Sequence, residues 1–271
     1  MSFLKKSWRR YLAWLLLVCL FSVGCIFLSR WQFDRRAQVV EVIKTIDSNY
    51  DKPPTNLASV LPDLYAPLPA NKQWLPVSVT GHYLPDSTTL VRNRSLGGNP
   101  GFELLVPFLT SQNTVIIIDR GWVATGNTHD YPDSIPQTSA AKLTLVGRLM
   151  PGEAALNRTA PPGQIPSIYL PALATMNSAQ TYINAYLLLD HESISQPQAK
   201  VLPKPSFGEG NHLSYAIQWL IFGLLAFGTL FWAIRKEMQI SRASNDPTFT
   251  VRPKRKSAVD RDAEVEDQLL D

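Results

Sequence analysis

The chain has 271 residues, 45% of them apolar, and a formal net charge of +4, values that would suit an ordinary protein of one or two domains. No Gly-x-Ser-x-Gly, His-Glu-x-x-His, Cys-x-x-Cys, phosphate-binding loop or dinucleotide fingerprint occurs, so the enzyme classes that depend on them find no support. Both cysteines, Cys19 and Cys25, lie in one apolar run about 240° apart on a helix, where they can neither pair nor share a metal, and the rest of the chain must fold without disulfides.

In chain order, residues 1–10 form a basic start with Lys5, Lys6, Arg9, Arg10 and no acid. Residues 11–28 carry no charge, and a helix of that length just reaches across about 30 Å of hydrocarbon. A first transmembrane helix is predicted over 11–33. A cleaved signal peptide shares this pattern, but no Ala-x-Ala site follows and the apolar run continues past Cys25, so a retained anchor is expected. Beyond it, Val39, Val40, Val42, Ile43 and Ile46 keep helical spacing, which predicts that the helix continues out of the span. Six prolines between positions 53 and 76 then predict an extended or irregular lead-in.

From Trp74 the period changes to alternation, with Leu75, Val77 and Val79 on one side, the pattern of a half-buried strand. Further strands are predicted at 88–92, 102–109, 114–119, 142–149 and 183–190, separated by turn residues such as Gly97-Gly98-Asn99-Pro100, with one helix at 172–181. Residues 34–211 are therefore expected to form one antiparallel β-rich domain, a sandwich or partial barrel. A second transmembrane helix is predicted over 212–234, because residues 213–234 carry no charge and Arg235 and Lys236 close the run. Residues 235–271 are read as a disordered tail. The predicted fold class is a membrane protein of α+β type, with two transmembrane helices flanking an extracytoplasmic domain.

Charge predicts the orientation. Residues 235–256 carry seven Lys or Arg against two acids, whereas residues 37–211 hold 11 basic and 13 acidic residues, so both termini are expected in the cytoplasm of a bacterial plasma membrane. Arg30, Arg35 and Arg36 oppose the rule locally, but a long loop translocates largely regardless of charge. The basic ends thus imply contact with membrane lipid, and no nucleic-acid partner is needed to explain them.

His82, His129 and His191 are isolated in strand or turn settings, without a serine or cysteine motif beside them. His212 differs, because it stands where the second span begins, and Tyr215 and Trp219 follow at i+3 and i+7 on one helical face with Gln218 flanking. Such a set reads either as an interfacial aromatic belt with polar caps or as a cofactor or partner site in which a neutral imidazole ligates iron. Trp31-Gln32, at the exit of the first span, reads either as an interfacial anchor or as a contact to the second span.

The segment His212-Leu213-Ser214-Tyr215-Ala216-Ile217-Gln218-Trp219 resembles the opening of the second span in the surfeit locus protein 1 family, the Shy proteins of yeast. Leu28-Ser29-Arg30-Trp31-Gln32 with Arg35 is similar to that family's Leu-Gly-x-Trp-Gln…Arg, with Ser29 in place of Gly. Val79-Thr80-Gly81-His82-Tyr83, Asn93-Arg94 and Asn99-Pro100-Gly101-Phe102 resemble further family segments. Asp119-Arg120-Gly121-Trp122-Val123 is similar to Asn-Arg-Gly-Trp-Val, with Asp119 for Asn. The resemblance spans residues 12–237 and implies a non-enzymatic assembly factor for haem-copper, aa3-type cytochrome c oxidase. It implies haem a as cargo, received from haem a synthase and passed to oxidase subunit I, with His212 on the iron and Tyr215, Gln218, Trp219, Trp31 and Gln32 around it. The alternatives are a structural chaperone of oxidase subunits that binds no haem, and a membrane-anchored enzyme or sensor with an unrecognised site.

Overall fold

Both uncharged runs lie in long helices, and the alternating stretches between them pair as strands. A computed structural model of the protein describes residues 2–177 and 179–245. They divide into two units, one made of residues up to Ala37 with those from Glu209 onward, the other Gln38–Gly208.

Helix α1 (Ser2–Asn49) carries the first run and continues through the valine and isoleucine positions, as their spacing predicts. The proline-rich stretch is more ordered than a linker. It forms β1 (Thr55–Asn56) and a single turn, α2 (Leu57–Val60), started by Asn56, whose side chain accepts from the Ala58 amide at 3.0 Å. Its Leu57, Val60, Leu61 and Leu68 are buried in the main core, so proline here shapes a plug around apolar anchors instead of spacing two parts.

Strands β2 (Pro76–Tyr83), β3 (Thr89–Leu96), β4 (Asn99–Thr110), β5 (Thr114–Ala124) and β6 (Leu143–Pro151) follow. The short β7 (Gln164–Ile165), helix α3 (Leu170–Ala174), β8 (Gln180–Thr181) and then β9 (Ala185–Glu192) complete the unit. The predicted helix at 172–181 is thus half as long and begins earlier. Pro171 suits the first helical turn, the Asn177 amide closes the end on the Leu173 carbonyl at 2.9 Å, and the Tyr182 amide then pairs with Val115.

β2 pairs with both β6 and β4, and β6–β9–β5–β4 are joined in turn, so five strands close into a ring. The closed form fits the expected partial barrel, but the sheet is mixed, not antiparallel. β9 runs parallel to β5, and β1, β7 and β8 each add a two-residue parallel edge. Inside the ring, alternate residues such as Val79, Val106, Ile118, Leu145 and Leu187 form one core. On the outer face Leu105, Val115 and Ile117 are covered by Ile168, Leu170 and Leu173. β5 is therefore buried on both sides, which is why its Val115-Ile116-Ile117-Ile118 reads as a continuous apolar run.

In the other unit, α1 up to Ala37 packs against α4 (His212–Asn245). Each helix is long and apolar enough to cross a membrane, and only 11% and 6% of their apolar windows is buried, unlike core helices of a soluble protein. α4 extends to Asn245, so residues 235–245 of the predicted disordered tail are helical, and the remainder of that tail lies outside the described residues.

Candidate functional site

The two helices meet through small residues. Ser22, Cys25 and Ser29, at i, i+3 and i+7 on α1, are buried, as is Ala216 on α4. Ser22 donates its hydroxyl to the Gly223 carbonyl at 3.3 Å, and a Cβ on Gly223 would stand 3.6 Å from that of Cys25. Such small side chains let helix backbones approach closely. Ser29, standing where the resembling motif has Gly, is small enough to keep the seam. Cys25 is a packing residue in it, whereas Cys19 lies off the seam and half-exposed, as the angular spacing requires.

This seam leads to His212. Gly210, at φ +67°, turns the chain into α4, and the Tyr215 amide closes the first turn on the Asn211 carbonyl at 3.0 Å. Just before the turn, Glu209 holds the Arg36 guanidinium through Nε and Nη2 at 3.0 and 2.6 Å. His212 Nδ1 lies 2.9 Å from Gln32 Oε1. An amide oxygen only accepts, so in this contact Nδ1 is the donor, and the tautomer that donates from Nδ1 alone has its lone pair on Nε2. Nε2 makes no hydrogen bond among the described residues, and a Cβ at position 210 would sit 3.3 Å from the ring Cδ2 and 3.5 Å from Nε2. Glycine at 210 keeps that edge of the imidazole open.

Of the six residues singled out in the sequence, the structure joins His212 and Gln32 directly. Trp219 is half-buried and packs edge-on against Phe222 at 5.8 Å. Tyr215 is 50% and Trp31 55% exposed, and Gln218 is exposed, so these three face outward from the helix pair. Gly210, Glu209 and Arg36 were not legible as site residues. The small residues Ser22, Cys25 and Ser29 at i, i+3 and i+7 were the available signal for the seam.

The remaining motif residues build the barrel. A Cβ on Gly81 would stand 2.0 Å from the Leu109 carbonyl, so glycine lets β2 close onto β4. Gly101 lies under the Trp122 ring, 2.4 Å from a would-be Cβ, and the Trp122 indole donates to the Arg94 carbonyl at 3.0 Å. Asn93, at φ +58°, makes the irregularity in β3 that aims Arg94 at Glu103 (3.0 Å) and Glu153 (2.7 Å). Beside them Asp119 is fully buried and accepts from the Gly121 amide at 2.9 Å; burial, reinforced by Glu103, raises its pKa well above the carboxylate range. A neutral Asp119 is a near copy of the asparagine in the resembling motif.

His129 bonds to Thr128 and His191 to Asp190, both exposed, and His82 lies half-buried on β2. Among the described residues no group of three His, Cys, Asp or Glu converges on a metal position.

The chain thus carries a closed barrel lying in sequence between two helices long and apolar enough to cross a membrane, the second of which opens on His212. The chain belongs to the SURF1 family, which it matches over residues 19–224, a family generally of oxidase assembly factors and not known as enzymatic. It is similar to an uncharacterised SURF1-like protein of Mycobacterium bovis, at 33% identity over 82% of each chain, and to a SURF1-like protein of Rickettsia bellii, at 26% identity over 80% of this chain and 88% of that one. The family resemblance carried by the two helix motifs is thereby borne out.

Proposed function

We propose that this protein is an assembly factor for aa3-type cytochrome c oxidase that takes haem a from haem a synthase at His212 and assists its insertion into subunit I. In this reading the barrel stands on the outer face of a bacterial plasma membrane and both termini lie in the cytoplasm, as the basic flanks favour. The observation that carries the reading is the 2.9 Å contact of His212 Nδ1 with Gln32 Oε1. Histidines that bind metals generally donate their second ring N–H to an oxygen acceptor, which fixes tautomer and ring orientation. Here that acceptor comes from the first helix, the free Nε2 from the second, and Gly210 leaves room beside it.

Haem a is cargo whose isoprenoid tail favours lipid and whose propionates favour a polar, cationic margin. An imidazole at the mouth of an apolar helix pair suits both ends. A single histidine would hold the iron less completely than two ligands, which would suit release to an acceptor.

The test is an absorption spectrum of the full-length protein purified from a haem-a-producing host, beside His212→Ala. Haem a should accompany the parent and be absent from the variant. Equal haem a in both removes His212 as ligand. Normal oxidase assembly in cells carrying only His212→Ala would favour a structural chaperone that binds no haem.

A further inference from the structure

Arg120 projects into the closed ring with its side chain wholly buried, and Glu192, equally buried, faces it at 3.4 Å. The Tyr83 hydroxyl donates to Glu192 Oε1 at 2.6 Å, the Arg120 guanidinium stands 5.1 Å from the Tyr83 ring centre, and Arg120 Nη2 donates to the Pro197 carbonyl at 3.0 Å. Two segments reach this pair. Residues 193–200 are tied down by paired backbone bonds between Lys200 and Trp122, both 2.8 Å, and the Ser139 amide, next to Thr138 in the chain, donates to Gln196 Oε1 at 2.7 Å.

Five atoms here are shut off from solvent and have no hydrogen-bond partner: Arg120 Nε and Nη1, Glu192 Oε2, Thr138 Oγ1 and Gln196 Nε2. Native interiors rarely leave such groups unpaired, and a buried ion pair is tolerated when its remaining protons and lone pairs are satisfied. We infer that these atoms line an internal hydration site in which ordered water completes the Arg120–Glu192 pair. The chemistry selects the ligand. An anion drawn to Arg120 would meet Glu192 Oε2, and a cation drawn to Glu192 would meet Arg120, while the pair is already neutral. Water both donates and accepts, so one kind of ligand serves the orphaned donors of Arg120 and the orphaned acceptor of Glu192 alike. The inference is independent of any role of His212.

It is tested on the full chain by a crystal structure at a resolution that shows ordered water, with a second crystal soaked in bromide and measured for anomalous scattering. Water density within hydrogen-bonding distance of Glu192 Oε2 and of Arg120 Nε or Nη1, and no bromide peak there, is the expected result. A dry chamber, a bromide bound at Arg120, or direct pairing of the five atoms with one another overturns it.

Discussion

Gln32 acts on the iron site through another residue, so it is a positioning residue in the reading proposed above. Removing the oxygen acceptor that orients a metal-bound histidine typically costs about 10–100-fold in affinity. Gln32→Leu should therefore weaken haem a binding by about that factor in a spectroscopic titration, while Gln32→Glu, which keeps an acceptor, retains most of it; equal affinity in all three proteins would remove Gln32 from the site. Asp119 makes a different residue-scale prediction. Its carboxyl is pushed up first by burial and then by Glu103, with the Gly121 amide and Arg94 opposing the rise and Glu153 adding to it. The folded protein thus keeps a proton that the unfolded chain releases above about pH 4. The stabilisation is full below that pH and is lost as pH rises toward the elevated pKa of the folded state. Asparagine cannot titrate and can still accept from Gly121. The thermal midpoint of Asp119→Asn should rise relative to the parent between pH 4 and 8, and a difference that stays constant or shrinks with pH refutes a protonated Asp119.

At the scale of elements, glycine decides where strands can meet. Gly81 faces the backbone of β4, not the end of a flexible side chain, so a methyl group there forces the two strands apart. Overpacking of this kind costs about 1–3 kcal/mol, and Gly81→Ala should lower the thermal midpoint by several degrees. Gly24→Ala is the matched control. It lies on α1 with nothing within 4 Å of an added Cβ, and alanine favours a helix, so the midpoint should be unchanged or raised. Equal losses in the two variants would show that β2–β4 closure contributes nothing. The same reasoning accounts for the motif Pro100-Gly101-Phe102, whose glycine makes room for Trp122, and shows why a motif in the barrel is not by itself a contact surface.

For the whole molecule, the proposed topology predicts accessibility from each side of the membrane. Val201 is 51% and Ile240 60% exposed, so a cysteine at either position can react with a thiol reagent. In a background with Cys19 and Cys25 replaced by alanine, Val201→Cys should be labelled in intact cells by an impermeant reagent, and Ile240→Cys only after permeabilisation; the reverse pattern would invert the topology. Much of the architecture behind this prediction is written locally. The lengths of the uncharged runs, the helical spacing beyond the first of them and the alternation read from Trp74 onward depend on neighbours a few positions away, and they located the two helices and most of the strands. The order of motifs likewise placed His212 and Gln32 on the helices that carry them. What local pattern cannot carry is pairing between distant segments. Ring closure through Gly81, the parallel contact of β9 with β5, the burial of Arg120 against Glu192 and the meeting of His212 with Gln32 across 180 positions all arise from where folded elements come to rest. A side chain's periodicity tells which face it occupies, and only the packed fold decides what stands opposite that face.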